Sequence, residues 1–336
     1  MTTPFRLFSL PYVPLKQVLD NLGPHGIILL SLCSRRSKNL AVSYRGPSKN
    51  VQLHLMYGDS FGSLANDLTG VWEAIDIKNL GSVRLGTLPS GKFRDVQYKM
   101  DGDCLVTLWE DKLTGLIEIG NYAREIFNQD IYQVSIGDEQ AVGYRRLIEW
   151  TMDTQKSIER FYFGIKKTLD EDLDYILENL KCTGSLSLLA RPSKNYRTAK
   201  PLFFNLNVIY ICKSFWITQR DLLGMNCKII TMYNSKLTSE DFNVFLKHWM
   251  SGGCSKLKLL LVSVKELINF ESVFDGVEFT ERGRDVERIF VIVDVSARWP
   301  SSGQVKYPTI GRSLICNSKQ RMRKNGKVCE YEHRTI

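Results

Sequence analysis

Carboxylates, thiols, imidazoles and a basic cluster are the groups in this chain that could do chemistry, and their spacing decides which chemistry is open. The paired acids Glu171-Asp172 and Glu240-Asp241 carry the right side chains for general acid–base work. Both pairs, however, open amphipathic segments, where an acid complements the positive end of a helix. Asp101, Asp103, Glu110 and Asp111 flank an expected strand hairpin and need no more than water. The eight cysteines contain no C-x-x-C pair, and none of the four histidines lies near paired thiols, so no zinc set assembles by spacing. Unpaired, scattered cysteines in a chain of this size read as reduced thiols of an intracellular protein, cytoplasmic or nuclear. The phosphate-loop, dinucleotide, nucleophile-elbow and H-E-x-x-H patterns are absent. The expectation is therefore a non-catalytic protein without cofactor or metal.

The basic groups raise a different possibility. The chain has 45 Lys and Arg against 36 Asp and Glu, and part of the excess sits in KQRMRKNGK (319–327). Such a run could meet phosphates through charge alone. It lacks a stacking platform and any zinc-finger or helix-turn-helix spacing. A solvated tail or a site for an acidic partner is the plainer reading, and nucleic acid is not expected. A hydrophobic fraction of 43% argues for a folded chain over a disordered one. No run approaches the 18 apolar residues of a membrane span, and no basic-then-apolar signal pattern is present, so no membrane association is expected.

The elements that must position these groups follow from periodicity. Alternating runs at 51–57, 71–77, 95–100 and 104–110 suit half-buried strands. Residues 115–129 read as a helix with Leu116, Ile119, Ala123, Ile126 and Phe127 on one face. From 131 to 264, strand-like runs recur at 131–136, 159–163, 185–189, 207–211, 228–232 and 256–262. Helical segments fall at 144–153, 170–180, 219–223 and 239–249. Strand plus helix at a period of 20 to 30 is the arithmetic of a leucine-rich-repeat solenoid, although the consensus leucines are poorly kept. Thr218 stands three residues before Asp221, and Thr238 three before Asp241, which is capping-box spacing. Phe242, Phe245, Leu246 and Trp249 form a stripe expected to be core. A strand is expected at 286–295.

The segment SLPYVPLKQVLDNLGPHGIILLSLCSRRSKNL (9–40) differs from all of this. Leu15, Val18, Leu19 and Leu22 share one helical face, and Ile27 and Leu30 extend apolar surface onto a second helix after Gly-Pro. So few residues cannot bury that many aliphatic groups among themselves, and the surplus must face another domain or protein. Leu10-Pro11, these helix positions, Ser31 and the basic Arg35, Arg36 and Lys38 resemble an F-box, the module that docks a substrate receptor onto the Skp adaptor of a cullin–RING ubiquitin ligase. The second helix is expected to run on through Ser34 to Arg36. His25-Gly26 departs from the family, and Gly26 is expected to delay the start of that helix.

A second resemblance covers 214–253, SFWITQRDLLGMNCKIITMYNSKLTSEDFNVFLKHWMSGG. Trp216 to Thr218, Leu222-Leu223, Asn226-Cys227-Lys228, Ser235 to Thr238 and Phe245 to Trp249 are similar to the F-box-associated domain of nematode F-box proteins. Departures occur at Met232-Tyr233-Asn234 and after Pro300. The two resemblances imply a substrate-recognition subunit. Its adaptor contacts would be Leu10, Pro11, Leu15, Val18, Leu19, Ile27 and Leu30, with the cullin scaffold reached through the adaptor and an unidentified protein as substrate. The alternatives are an interaction module that assembles no ligase and a nucleic-acid binder using the basic tail. The expected fold class is α/β, a helical F-box followed by an irregular leucine-rich-repeat-like strand–helix domain. Its expected organisation is 4–50 F-box, 51–130 strand-rich lead-in, 131–300 recognition domain and 301–336 basic strand or tail.

Overall fold

The computed structural model describes residues 7–44, 51–57, 62–66, 71–82, 90–93, 96–101, 104–137, 143–165, 168–264, 266–277, 291–294, 313–314, 321–324 and 327–330. The chain divides into two compact units, 1–164 with 179–181 and 165–178 with 182–336.

The first unit opens with α1 (Tyr12–Asn21), α2 (Pro24–Cys33) and α3 (Arg35–Ser43). Pro24 occupies the first helical position of α2, where its fixed φ suits the helix and its missing N–H costs nothing. Gly26 therefore does not delay the helix, contrary to expectation. The expectation that the second helix runs on through Arg36 is also corrected. Ser34 leaves the helix in an extended conformation and accepts the Ser37 N–H at 3.0 Å, which caps a new helix.

The sheet of this unit is built from β1 (Val51–Tyr57), β2 (Gly62–Asn66), β3 (Val71–Asn79), β4 (Ser90–Phe93), β5 (Val96–Asp101) and β6 (Cys104–Trp109). After α4 (Lys112–Phe127) come β7 (Ile131–Ile136), α5 (Tyr144–Thr154) and β8 (Ile158–Phe163). The strand order is β8-β7-β1-β2-β3-β6-β5-β4, with β7–β8, β1–β7 and β3–β6 parallel. Asp111 caps α4 by accepting the Leu113 and Thr114 N–H groups and the Thr114 hydroxyl. This starts the helix three residues ahead of the expected Gly115. Asn128, in the left-handed region at φ 52°, ends it. Gly115 lets α4 settle on Trp109, since a Cβ there would lie 2.6 Å from the indole. Gln155 stands in for a strand, exchanging two 2.8 Å hydrogen bonds with the backbone of Ile131.

The second unit contains α6 (Asp170–Asn179), β9 (Cys182–Leu188), β10 (Val208–Ile211), α7 (Gln219–Leu223), β11 (Ile229–Ser235), α8 (Ser239–Met250), β12 (Leu259–Val264) and α9 (Phe270–Val273). β13 (Val291–Asp294), β14 (Ser313–Leu314) and the hairpin β15 (Arg321–Lys324) and β16 (Lys327–Glu330) follow. Residues 286–290 and 295 of the strand expected at 286–295 lie outside the described residues. β9 to β13 lie side by side in chain order, every neighbouring pair parallel. The crossovers between these strands carry α7, α8 and α9 in turn, and α8 packs on both of its neighbours to form one helical layer. Every second strand residue meets that helical layer: Ile209, Ile230, Met232, Leu260 and Val262 are all fully buried. Phe242, Phe245 and Leu246 fill the layer from α8, whereas Trp249, the last residue of the stripe expected to be core, is partly exposed at the helix end.

Local chemistry fixes the helix starts. At both Thr218–Asp221 and Thr238–Asp241 the capping box is complete, the threonine hydroxyl accepting from the acid's N–H and the acid from the threonine N–H. The connection from β9 to β10 contains no helix or strand and runs along α6. Three carboxylates spaced four apart hold it: Asp170 accepts from Ser193, Asp174 from the Tyr196 hydroxyl at 2.5 Å, and Glu178 from Lys200 at 3.3 Å. Burial, then the bond to Asp174, pushes the Tyr196 hydroxyl well above the usual tyrosine range. The fold is thus α/β, with helices at the N-terminus ahead of the sheet-containing part. Among the described residues no helix is long and apolar enough to cross a membrane.

Candidate functional site

The first turn of α1 is an exposed apolar surface. Pro11, Tyr12, Val13 and Pro14 are all exposed, Tyr12 at 73% and Val13 at 64%. Proline is tolerated at both positions because N–H groups in a first helical turn have no intrahelical acceptor. Leu10, Leu15, Val18 and Leu30 are partly exposed. The two remaining residues named from the sequence turn inward, Leu19 at 1% exposure and Ile27 at 2%. The structure thus leaves Leu10, Pro11, Leu15, Val18 and Leu30 open to solvent and spends Leu19 and Ile27 on the chain's own core. Tyr12, Val13 and Pro14 escape a reading based on helical stripes. The visible signal is the run of four residues from Pro11 with only a phenol as polar group.

Charge and hydroxyl contacts hold this surface in place. The Lys16 ammonium bridges to Asp20 at 2.9 Å, which raises its pKa, and the Tyr44 hydroxyl donates to the same carboxylate. α2 is pinned to α4, where the Ser31 and Tyr122 hydroxyls share a 2.8 Å hydrogen bond. Lys38 of α3 reaches Glu125 at 2.5 Å and lies 5.3 Å from the Tyr122 ring centre. Arg36 covers the Phe8 ring at 5.0 Å. The basic residues after Ser34 therefore tether the helical segment to the sheet unit and to itself.

Comparison with known families decides what this segment is. Residues 7–46 match the family model described as F-box domain, and residues 198–262 match the one described as F-box associated. The chain carries an F-box segment followed by an F-box-associated segment. It is 22% identical over 296 residues to the Skn-1 dependent zygotic transcript 15 protein of Caenorhabditis elegans, covering 82% of this chain and 84% of that protein. It is 24% identical over 313 residues to the E3 ubiquitin-protein ligase hecw-1 of the same nematode. That match covers 82% of this chain and 24% of hecw-1, so the chain spans about a quarter of that relative. No solved structure matches the chain.

Most of the residues that mark the F-box-associated domain turn out to be caps or core, while Lys228 and Lys236 are exposed. Trp216 is 1% exposed and meets Tyr196 edge-on at 5.4 Å. Thr218 and Thr238 are caps, while Leu222, Cys227, Phe245 and Leu246 are core. Burial raises the Cys227 thiol pKa and pushes that of Cys254 up to about 11. The unit also holds a cleft of about 620 Å³ lined by Asp174, Leu177, Glu178, Lys200 and Phe203. The Phe203 ring is 80% exposed. Among the described residues no group of His, Cys, Asp and Glu is placed to hold a metal ion.

Proposed function

We propose that this F-box protein is a substrate-recognition subunit of an SCF-type ubiquitin ligase, binding the Skp adaptor through its helical segment and a protein substrate through its later domain. The observation that carries the reading is the exposed apolar turn Pro11–Pro14 on a segment matched as an F-box. A monomer has no use for four exposed residues of that character in a row, whereas an interface does. The adaptor contacts we assign are Leu10, Pro11, Leu15, Val18 and Leu30, joined by Tyr12 and Val13. Leu19 and Ile27 serve by setting the helix packing from within. Its relative hecw-1, named an E3 ubiquitin-protein ligase, agrees with a role in ubiquitin transfer.

The function is proximity. F-box proteins with an associated domain are typically non-catalytic, and the receptor works by raising the effective concentration of substrate lysines near a charged ubiquitin carrier. We assign 4–50 to docking, 51–130 to a strand-rich lead-in, 131–300 to recognition and 301–336 to a basic end, in a protein acting inside the cell. The repeated parallel strand, capped helix and next strand of β10 to β12 support a leucine-rich-repeat-like description of the recognition part.

Co-purification with the Skp adaptor tests the docking role. Tyr12→Asp with Val13→Asp changes exposed side chains, so the chain should stay folded and lose the complex. Leu19→Asp, by contrast, places a charge in the core and should unfold the helical segment. If folded wild type forms no complex, or the Tyr12/Val13 variant retains it, the ligase reading fails and a free-standing interaction module remains.

A further inference from the structure

The sheet of the second unit has two faces, and among the described residues only one carries helices. On the other face, side chains align in rows across paired strands. One row is Ser185, Val208, Ile229 and Leu259, and the next is Ser187, Tyr210, Thr231 and Leu261. All eight are partly exposed, in contrast to the buried residues that alternate with them. The first row is mainly aliphatic, and the second presents three hydroxyls in sequence. Tyr210 and Tyr233 pack together on this face, their ring centres 5.6 Å apart.

Charge is segregated across the same sheet. The strand-bearing segments 182–190, 206–213, 226–237 and 256–264 contain no Asp or Glu, but they hold Lys213, Lys228, Lys236, Lys256 and Lys258. Lys228 and Lys258 immediately precede paired strand starts, Ile229 and Leu259, so they stand side by side at one rim. Lys213 and Lys236 follow β10 and β11 at the opposite rim. Carboxylates gather instead on the helices: α6 alone carries five, with no Lys or Arg. Apolar rows edged by lysines, with hydroxyl donors between and no acid to repel, complement an anionic and apolar ligand.

We propose that this helix-free face is the substrate-binding face, and that it takes an extended protein segment rich in Asp or Glu interleaved with aliphatic or aromatic residues. The proposal rests on the receptor reading above. A polypeptide fits better than a nucleic acid because aliphatic rows offer packing to side chains but no flat platform for bases. Lysines at the rims steer and orient the segment through flexible stems.

Fluorescence anisotropy on the purified full chain tests this with four labelled probes of matched length. These are an acidic–apolar peptide alternating Glu or Asp with Leu or Tyr, an acidic Gly/Ser peptide, a basic–apolar peptide and a single-stranded oligonucleotide. The acidic–apolar peptide should bind tightest. Combined Lys228→Glu, Lys236→Glu and Lys258→Glu, all at exposed positions, should weaken it about tenfold or more and flatten its salt dependence. Ile229→Thr with Leu261→Thr, which puts β-branched strand formers at both positions, should weaken it while sparing the weaker binding of the Gly/Ser peptide. Four results would overturn the proposal: no peptide binding, indifference to the lysine changes, equal binding of both acidic peptides, or tighter binding of the oligonucleotide. Adaptor co-purification run alongside separates the two readings. Loss of peptide binding with the adaptor complex intact indicts only the face, and absence of that complex in wild type indicts the receptor role.

Discussion

Removing the acid from each of the two capping boxes should have very different costs, although their sequence signatures are alike. Asp221 is 2% exposed and accepts three hydrogen bonds: the Leu202 N–H at 3.0 Å, the Thr218 N–H at 2.9 Å and the Thr218 hydroxyl at 2.7 Å. Asp221→Ala leaves two part-buried backbone donors without an acceptor, at up to about 1–3 kcal/mol each. The expected loss is about 3–4 kcal/mol. Asp241 is partly exposed and accepts from the Thr238 N–H at 2.8 Å and from the Gln219 amide at 3.1 Å. Water can replace it, so Asp241→Ala should cost about 1 kcal/mol, the usual worth of an exposed helix cap. Asp221→Asn should fall between, since one acceptor oxygen survives. Urea denaturation ranks the three variants, and hydrogen exchange of peptides spanning 202–224 confirms that the loss lies in the second unit. Equal losses for Asp221→Ala and Asp241→Ala would refute the argument that burial, not the capping motif, sets the cost.

Two further outcomes are expected. In native protein at pH 8, iodoacetamide should label exposed Cys33 and leave Cys254 unmodified until denaturant is added. A thiol pKa of about 11 leaves only about one part in a thousand as thiolate, and mass spectrometry of tryptic peptides reads the difference. The Thr114 hydroxyl, reinforced by the Thr114 and Leu113 N–H groups, holds the Asp111 carboxyl below its ordinary pKa. A folded-state pKa below the unfolded value gives stability that is complete above about pH 4 and lost as pH falls through the folded value. Asp111→Ala should therefore be less stable than wild type by about 1 kcal/mol at pH 7, and the gap between their urea midpoints should narrow toward pH 3.

Features set by neighbours in sequence are legible in the order of the residues. The alternation in 51–57 and 131–136 gives β1 and β7 their limits, and the Thr-x-x-Asp spacing places α7 and α8. Features set by distant partners are not. Leu15 and Leu19 lie on one helical stripe, yet Leu19 is buried and Leu15 partly open, because packing within the folded unit selects which side of α1 is covered. Ser31 meets Tyr122, 91 residues away, and no periodicity encodes that meeting. The break at Ser34 falls in the polar run Ser34 to Asn39, which has no Gly or Pro to mark a helix end, and the serine's capping role sets it. The proposed docking surface is half visible: Leu10, Pro11 and Leu15 follow from the family pattern, whereas exposure at Tyr12 and Val13 depends on which face the rest of the unit covers. The motif of the F-box-associated domain maps mainly onto caps and core, and of its residues only Lys228 and Lys236 stand, exposed, at the rims of the helix-free face.

The in-order parallel strands also act as a ruler. Neighbouring strands lie about 4.8 Å apart, so β9 to β12 set a reading frame about 14 Å wide, room for about four residues of extended chain laid across them. That length is quantised. Gaining or losing one strand with its helix would lengthen or shorten the readable segment by little more than one residue. Because the strands add in chain order, such a change would leave α1 to α3 and their exposed turn untouched, so word length and docking can vary independently in chains built on this plan.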